Sequence, residues 1–322
     1  MTRVAVVVGT YQGAEFLGAQ LASILGQTRP PDRIVITDDA SSDETVAIAR
    51  RALAGFQGES IITTNPGPRG VVANFSHGLA MGGGDLVALS DQDDIWRPDK
   101  LETMVAAFES RPEILLLHSD ARLVDAHGAP IGGTLLESLS MSAAMRRLEH
   151  DGRGLQVLMR RNTVTGATTM VRRRLVEIAL PVPPGWVHDE WLAMVAAAAG
   201  QLDLLEQPLI DYRQHGGNEI GARVLGVRGK AARVGEPRAQ RNTRLLTRAE
   251  QLPPRLEALG PAVDSAAVAS ARAKLAHERR RSALPERRLA RIPSVAAATL
   301  RGDYHRFGRG TLDAFRDLIQ PV

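Results

Sequence analysis

The sequence predicts an α/β fold: a mixed, mainly parallel sheet flanked by helices, with a C-terminal helical extension. Three observations predict it. Strand-like and helix-like segments alternate at about thirty-residue intervals through the first half, the pattern of βαβ units. The first strand-like run, RVAVVVGTY (3–11), is continuous and β-branched, as a strand covered on both faces is. After about residue 221 strand patterns vanish, and Arg- and Ala-rich helical segments take over, broken by Pro237, Pro253, Pro254, Pro261, Pro285 and Pro293.

In order, RVAVVVGTY (3–11) is the first strand, and 14–27 carries helical spacing through Phe16, Leu17, Leu21, Ile24 and Leu25. RIVITDD (33–39) is a second strand ending in acid. A helix over 41–54 opens on Ser41 with Glu44 three residues on, a capping-box pattern. SIITTN (60–65) is a third strand, followed by a Gly/Pro loop and a helix around 71–81; DLVALSD (85–91) is the fourth strand. Residues 99–110 read as helix and 113–125 as extended. Turns follow near 128–133, then a helical stretch to about 161. TGATTMVRR (165–173) reads as a strand, HDEWLAMVAAAAG (188–200) as a helix opening on acid, and 201–218 as extended. A boundary near 221 divides the chain into domains 1–221 and 222–322.

With 322 residues, 44% of them apolar, the chain can bury a sizeable core. It has no run of about 18 apolar residues that would span a bilayer, and its N-terminus reads as a strand rather than a leader, so a cytoplasmic location is expected. Zero cysteines excludes disulfides and thiolate metal sites. Charge is unevenly placed. Residues 1–220 hold 19 Lys+Arg against 27 Asp+Glu, whereas 221–322 hold 21 against 9. An acidic body with a basic tail suggests two functional parts, the second suited to anionic lipid, nucleic acid or an acidic partner, or simply a solvated helical surface.

The most informative stretch is VALSDQDDIW (87–96), an apolar strand ending in Asp91, Asp93 and Asp94. Carboxylates packed this closely raise one another's pKa unless they are solvated or share a cation. A solvated turn suits an isolated DQDD. An EF-hand calcium loop fails, because Ile95 and Trp96 stand where a ligand and the turn glycine are needed. Haloacid-dehalogenase-type phosphatases also end a strand in Asp-x-Asp, but on the first strand and followed by Thr or Val. The remaining reading is a carboxylate grip on a divalent cation that in turn holds phosphates. No GxxxxGK[ST] loop is present and no GxGxxG follows the first strand, so phosphate binding would run through a metal. If the strands are parallel, Thr10–Tyr11, Asp38–Asp39 and Asp91–Asp94 share one rim.

Six motifs in order carry a resemblance: VVVGTYQGAEFLGAQLASILGQT (6–28), IVITDDASSDET (34–45), NPGPRGVVANF (65–75), ALSDQDDIWRPDKL (88–101), HDEW (188–191) and YRQHGGN (212–218). Together, over roughly residues 3 to 220, they resemble glycosyltransferase family 2 and, within it, the rhamnosyltransferase-like branch. The resemblance implies the Rossmann-like GT-A fold and an inverting, metal-dependent hexosyl transfer from a nucleotide-sugar. It implies that Thr10, Tyr11 and Glu15 shape a nucleoside pocket. Asp39 would read the pyrimidine, with Asp38 beside it, and Asn65 to Asn74 would line the ribose and diphosphate side. Asp91 would contact ribose or metal-bound groups, Asp93 would ligate Mg²⁺ or Mn²⁺, and Asp94 would stand behind them. An acidic pair at a helix start supplies the family's base, which aligns with Asp189; Glu190 is the alternative. A helix N-terminus favours the ionised form of such a carboxylate.

His215 is the candidate histidine approaching the metal or diphosphate, and Arg213 is suited to phosphate oxygens. Trp96 and Trp191 lie in these motifs, where aromatic faces would stack on sugar. The expected partners are a dTDP- or UDP-sugar, dTDP-rhamnose first, and a cell-envelope glycan acceptor, lipid-linked in one form. The basic tail would hold the enzyme at the inner face of the membrane; nucleic acid is not expected. Two rivals stay open. A sugar nucleotidyltransferase shares the architecture but needs a GxGxR start that is missing here, and a non-catalytic glycan-binding module would not need Asp189.

Overall fold

The computed structural model describes residues 1–64, 70–216 and 238–321. Its first half is built from β1 (Val4–Thr10), β2 (Arg33–Asp38), β3 (Glu59–Thr64) and β4 (Leu86–Ser90), all parallel, joined by α1 (Leu17–Leu25), α2 (Thr45–Leu53) and α3 (Gly70–Met81). The register sets Thr10 opposite Asp38 and Val8 opposite Ser90. Thr10, Asp38 and Asp91 therefore emerge on one rim, as parallel strands require.

The second half turns the sheet mixed. It runs β5 (Ile95–Trp96), α4 (Lys100–Ser110), β6 (Leu116–Val124), β7 (Pro130–Thr134), then α5 (Leu135–Ser138), α6 (Ala143–His150) and α7 (Gly154–Leu158). A 3₁₀ turn at Gly166–Thr168 leads into β8 (Thr169–Arg172), followed by α8 (Arg173–Ala179), α9 (His188–Ala198) and β9 (Leu202–Arg213). Strand order is β3-β2-β1-β4-β8-β6-β9-β5, with β7 on β6. β8 runs antiparallel to both β4 and β6, while β6 and β9 are parallel.

Strand alternation divides the core into two layers. Val7, Val35, Val87 and Leu89 face one layer, closed by α3, α8 and α9. Val6, Val8, Ile34, Ile36 and Ala88 face the other, closed by α1 and α4. Gly78 of α3 is required by close approach, since a Cβ there would stand 2.5 Å from Val7 Cγ1 and 2.9 Å from Thr37 Cγ2.

Some local expectations are corrected. The capping box at Ser41 does not form; α2 starts at Thr45 with no side-chain cap, and Ser41 instead donates its Oγ to Asp38 Oδ1 at 2.6 Å. The strand end competes successfully for that hydroxyl. Residues 130–134, read as turn, pair with β6 as a short strand, and the stretch to 161 is three short helices rather than one.

The C-terminal helices are α10 (Arg238–Ala258), α11 (Ser265–Ser282), α12 (Arg288–Leu300), α13 (Asp303–Phe307) and α14 (Thr311–Ile319). Leu252 and Leu256 of α10, Ala267 and Ala271 of α11, and Phe307 of α13 join the same buried cluster as Trp191 and Leu192 of α9. The expected boundary near 221 lies outside the described residues. Among the described residues no helix is long and apolar enough to cross a membrane.

Candidate active site

A cavity of about 790 Å³ opens along the shared rim. Thr10, Tyr11, Glu15, Asp39 and Asn74 line it, as expected. Asn65 lies outside the described residues. Asn74 binds the strand ends together: its Nδ2 donates to the carbonyls of Thr10 (3.2 Å) and Thr37 (2.9 Å), and its Oδ1 accepts from Thr37 Oγ1 (2.7 Å). Asp39 accepts from the Gly70 backbone N–H at 2.8 Å. Asp38 is corrected. It does not line the cavity but is fully buried, accepting from Thr10 Oγ1 (2.8 Å), Ser41 N (2.7 Å) and Ser41 Oγ. Adjacent side chains at a strand end point opposite ways, so only one of the two acids faces the site.

Gln92 clamps the loop after β1 onto the acid cluster, accepting from Tyr11 N at 2.8 Å and donating to Tyr11 O at 2.9 Å. Beyond it, Asp91, Asp93 and Asp94 each present an oxygen within 4.8 Å of the others. Burial first, then the charges of Asp93 and Asp189, pushes the Asp91 carboxyl up to about 8. Asp94 is likewise pushed well above the ordinary range by burial, Asp93 and Asp91, and its Oδ2 is buried with no hydrogen-bond partner. His215 Nε2 lies 2.8 Å from Asp93 Oδ2, its ring stacked on Phe16 at 4.8 Å. Oxygen ligands in excess, one imidazole, and carboxyls whose pKa is raised by burial and by one another fit a hard divalent cation. Asp91, Asp93 and His215 line the cavity; Asp94 does not.

A second carboxylate group enters from α9. Asp189 lines the cavity with Oδ2 accepting from Gly166 N (2.8 Å) and Oδ1 from Glu190 N (2.7 Å). The pKa depression expected at a helix start is overturned: burial outweighs these hydrogen bonds and raises it. Glu190 also lines the cavity, but its carboxylate is paired with Arg248 of α10 at 2.6 Å. His188 stacks on Phe75 at 4.2 Å, with neither ring nitrogen hydrogen-bonded, and burial lowers it to about 3, so it is neutral.

The wall opposite in sequence, from Asn162 to Gly166, rests on a buried polar chain. His118 Nε2 meets Glu149 Oε2 at 2.8 Å, and Thr163 Oγ1 donates to Glu149 Oε1 at 3.1 Å. Asn162 then brackets Val164, donating to its carbonyl at 2.7 Å and accepting from its N–H at 3.0 Å.

Three expected site residues turn inward. Arg213 is 7% exposed, and its guanidinium donates to the carbonyls of Asp93 (2.7 Å) and Ala126 (2.7 Å), bracing the acid cluster from behind rather than lining the cavity. Trp191 is buried, donating Nε1 to Ala179 O at 2.8 Å and packing edge-on to Trp186. Trp96 is buried beneath Lys100, whose Nζ stands 3.7 Å from the ring centroid. Their large apolar area favours the core over the rim. Conversely, sequence reasoning missed Gln92, Lys100 and Arg248. Lys100 is fully buried, donates to Ala167 O at 2.9 Å, and is lowered to about 7 by burial against the pull of Asp94 and Asp91.

Comparison with known proteins gives the family and the fold. The family model described as glycosyl transferase family 2 matches residues 5–175, more than half of the chain. An uncharacterised glycosyltransferase of Nostoc sp. is 26% identical over 225 residues, covering 67% of this chain and 66% of that protein. The chain spans 66% and 52% of the lengths of the first two curated relatives it matches. Among solved structures, Staphylococcus aureus TarS 1–349 in complex with UDP-GlcNAc superposes with a TM-score of 0.60 at 15% identity, over 86% of this chain and 72% of that one. The mannosyltransferase PcManGT of Pyrobaculum calidifontis, in complex with GDP-Man and Mn²⁺, superposes at 0.53 with 18% identity, over 93% and 75%. These likenesses show the GT-A fold. The family match, over the strands whose ends form the rim, makes the chain a glycosyltransferase of family 2.

Proposed function

We propose that this glycosyltransferase transfers a sugar from a nucleotide-activated donor to a hydroxyl acceptor with inversion, with Asp189 as the base and Asp91, Asp93 and His215 holding Mg²⁺ or Mn²⁺. One observation carries the reading: the strand-end carboxylates and the helix-start carboxylate line the same cavity, which has the volume a nucleotide-sugar needs. When bound, the cation supplies Lewis-acid stabilisation to the departing nucleoside diphosphate.

The chain's own groups do the rest. Thr10, Tyr11, Glu15, Asp39 and Asn74 receive the nucleoside. Asp189 takes the acceptor hydroxyl's proton, its two oxygens aimed by the Gly166 and Glu190 N–H groups. Burial keeps the carboxylate basic enough to accept that proton. Glu190, already paired with Arg248, is the weaker candidate for base. Phe75, Val71 and Val164 give the cavity apolar wall that limits water. A dTDP- or UDP-sugar, rhamnose first, is the donor the sequence motifs favour; TarS and PcManGT were solved with UDP-GlcNAc and GDP-Man. The acceptor is a cell-envelope glycan, carried on lipid.

The test is thermal-shift binding of UDP, dTDP, GDP and CMP, with and without Mn²⁺, on wild type and Asp93→Ala. A hundred-fold excess over Kd stabilises by about 2.7 kcal/mol. A metal-dependent shift with dTDP or UDP that Asp93→Ala abolishes is expected. No shift with any nucleotide would overturn the reading.

A further inference from the structure

Eight large apolar side chains are exposed among the described residues, and five of them fall between 289 and 315: Leu289, Ile292, Leu300, Leu312 and Phe315. Leu289 and Leu300 are 81% and 89% exposed. Their spacing is ordered. On α12, Leu289, Ile292, Ala296 and Leu300 recur at helical intervals along one exposed stripe, with Pro293 beside it. On α14, Leu312 and Phe315 form a second exposed pair, and α12 packs against α14.

The orientation of α12 is enforced. Its inner face buries Arg291, whose guanidinium donates to the carbonyls of Pro285 (2.7 Å), Glu286 (2.6 Å), Asp317 (3.1 Å) and Gln320 (2.8 Å). A helix free to rotate would bury its leucines and leave its arginine in water; this one does the reverse. The apolar stripe is therefore held outward by the Arg291 anchor and by Val295 and Ala298, which are buried on the opposite face. The exposed charge around it is almost all positive. Arg287, Arg288, Arg301, Arg306 and Arg309 are exposed, while Asp303, Asp313 and Asp317 are buried in ion pairs with arginines. Only Glu286 is an exposed acid between 286 and 321.

We propose that the outer faces of α12 and α14 dock on an anionic lipid bilayer, the apolar stripe entering the acyl boundary and the arginines meeting headgroup phosphates. Charge complementarity selects lipid over a second copy of this chain, because two copies would bring the same arginines together. The inference goes beyond sugar transfer and does not depend on it.

The test is co-sedimentation of the full chain with phosphatidylglycerol-containing vesicles and with pure phosphatidylcholine vesicles, at low and high salt. Wild type should pellet with the anionic vesicles and release as salt rises. Leu289→Glu combined with Leu300→Glu should cut partitioning at least tenfold, as should Arg287→Glu with Arg288→Glu. All four positions are exposed, and the melting temperature of each variant checks that the fold is kept. Nucleotide binding should be unchanged in both variants, which separates failure of docking from failure of the donor site. Equal binding to neutral vesicles, unaltered binding by the variants, or a wild-type dimer in light scattering that Leu300→Glu dissolves would each overturn the proposal.

Discussion

Arg248 reaches 2.6 Å from the carboxylate of Glu190, the residue beside Asp189, although it belongs to a helix that begins at Arg238. Its backbone carbonyl also accepts from Trp186 Nε1 at 3.1 Å, and its guanidinium lies over the Trp186 ring at 4.3 Å. The arginine is thus fixed at both ends, and its charge pulls both carboxyls down against the burial that raises them.

Removing that charge should move the pH profile. The base must be ionised, and burial has raised its pKa, so kcat should climb with pH along a limb above the ordinary carboxylate range. Arg248→Gln removes a lowering influence, so the limb should shift to higher pH and kcat on its acid side fall. Arg248→Lys should restore part of both. Steady-state rates across pH would show it; an unmoved limb would leave Arg248 a packing residue.

Asp189→Asn should lower kcat by about 10²–10⁴-fold while nucleotide affinity stays within twofold, since the amide keeps the shape and loses the proton acceptor. Glu190→Gln should cost less. If the two losses are reversed, the base is Glu190.

Acid should weaken the fold through its two buried, neutral histidines. Burial lowers His188 to about 3 and His277 to about 4, and neither has a hydrogen-bonded ring nitrogen. Between those values and 6.5 the unfolded chain binds the extra protons, so the contribution of these two histidines is full above about 6.5 and is lost as pH drops. Each contributes a slope of up to about 1.4 kcal/mol per pH unit. Urea unfolding of His188→Leu should show a flatter acid limb than wild type.

Leu252 of α10 is fully buried in the cluster that holds α9. Leu252→Ala should destabilise by about 2–5 kcal/mol and lower a single melting transition of the whole chain. Two transitions, only one of them shifted, would instead mean that the C-terminal helices unfold separately.

What the sequence made legible follows from chain-local rules. β-branched runs marked β1 and β2 and an apolar run marked β4, and parallel pairing then forced Thr10, Asp39 and Asp91 onto one rim. Asp189 was singled out by the family resemblance, which the acidic helix start matches. The misses share a cause: they depend on which way a side chain turns once packed. Asp38 and Asp39 differ only by strand alternation, and Trp96, Trp191 and Arg213 sit in site motifs yet turn inward. Arg248 is one of many arginines in a helical stretch, and no spacing distinguishes it from its neighbours.

The cavity has two kinds of wall. The nucleotide side is made of strand ends in a parallel register, where any backbone shift would disturb several pairings at once. The wall from Asn162 to Gly166 hangs instead from one buried chain, His118 to Glu149 to Thr163, beneath side chains that themselves carry no strand pairing. Because Asn162 holds Val164 through both of its amide atoms, the two positions are coupled, and exchanging either disturbs this wall while the strand register opposite stays intact. Change there reshapes one side of the cavity and leaves the strand-end acids where they stand.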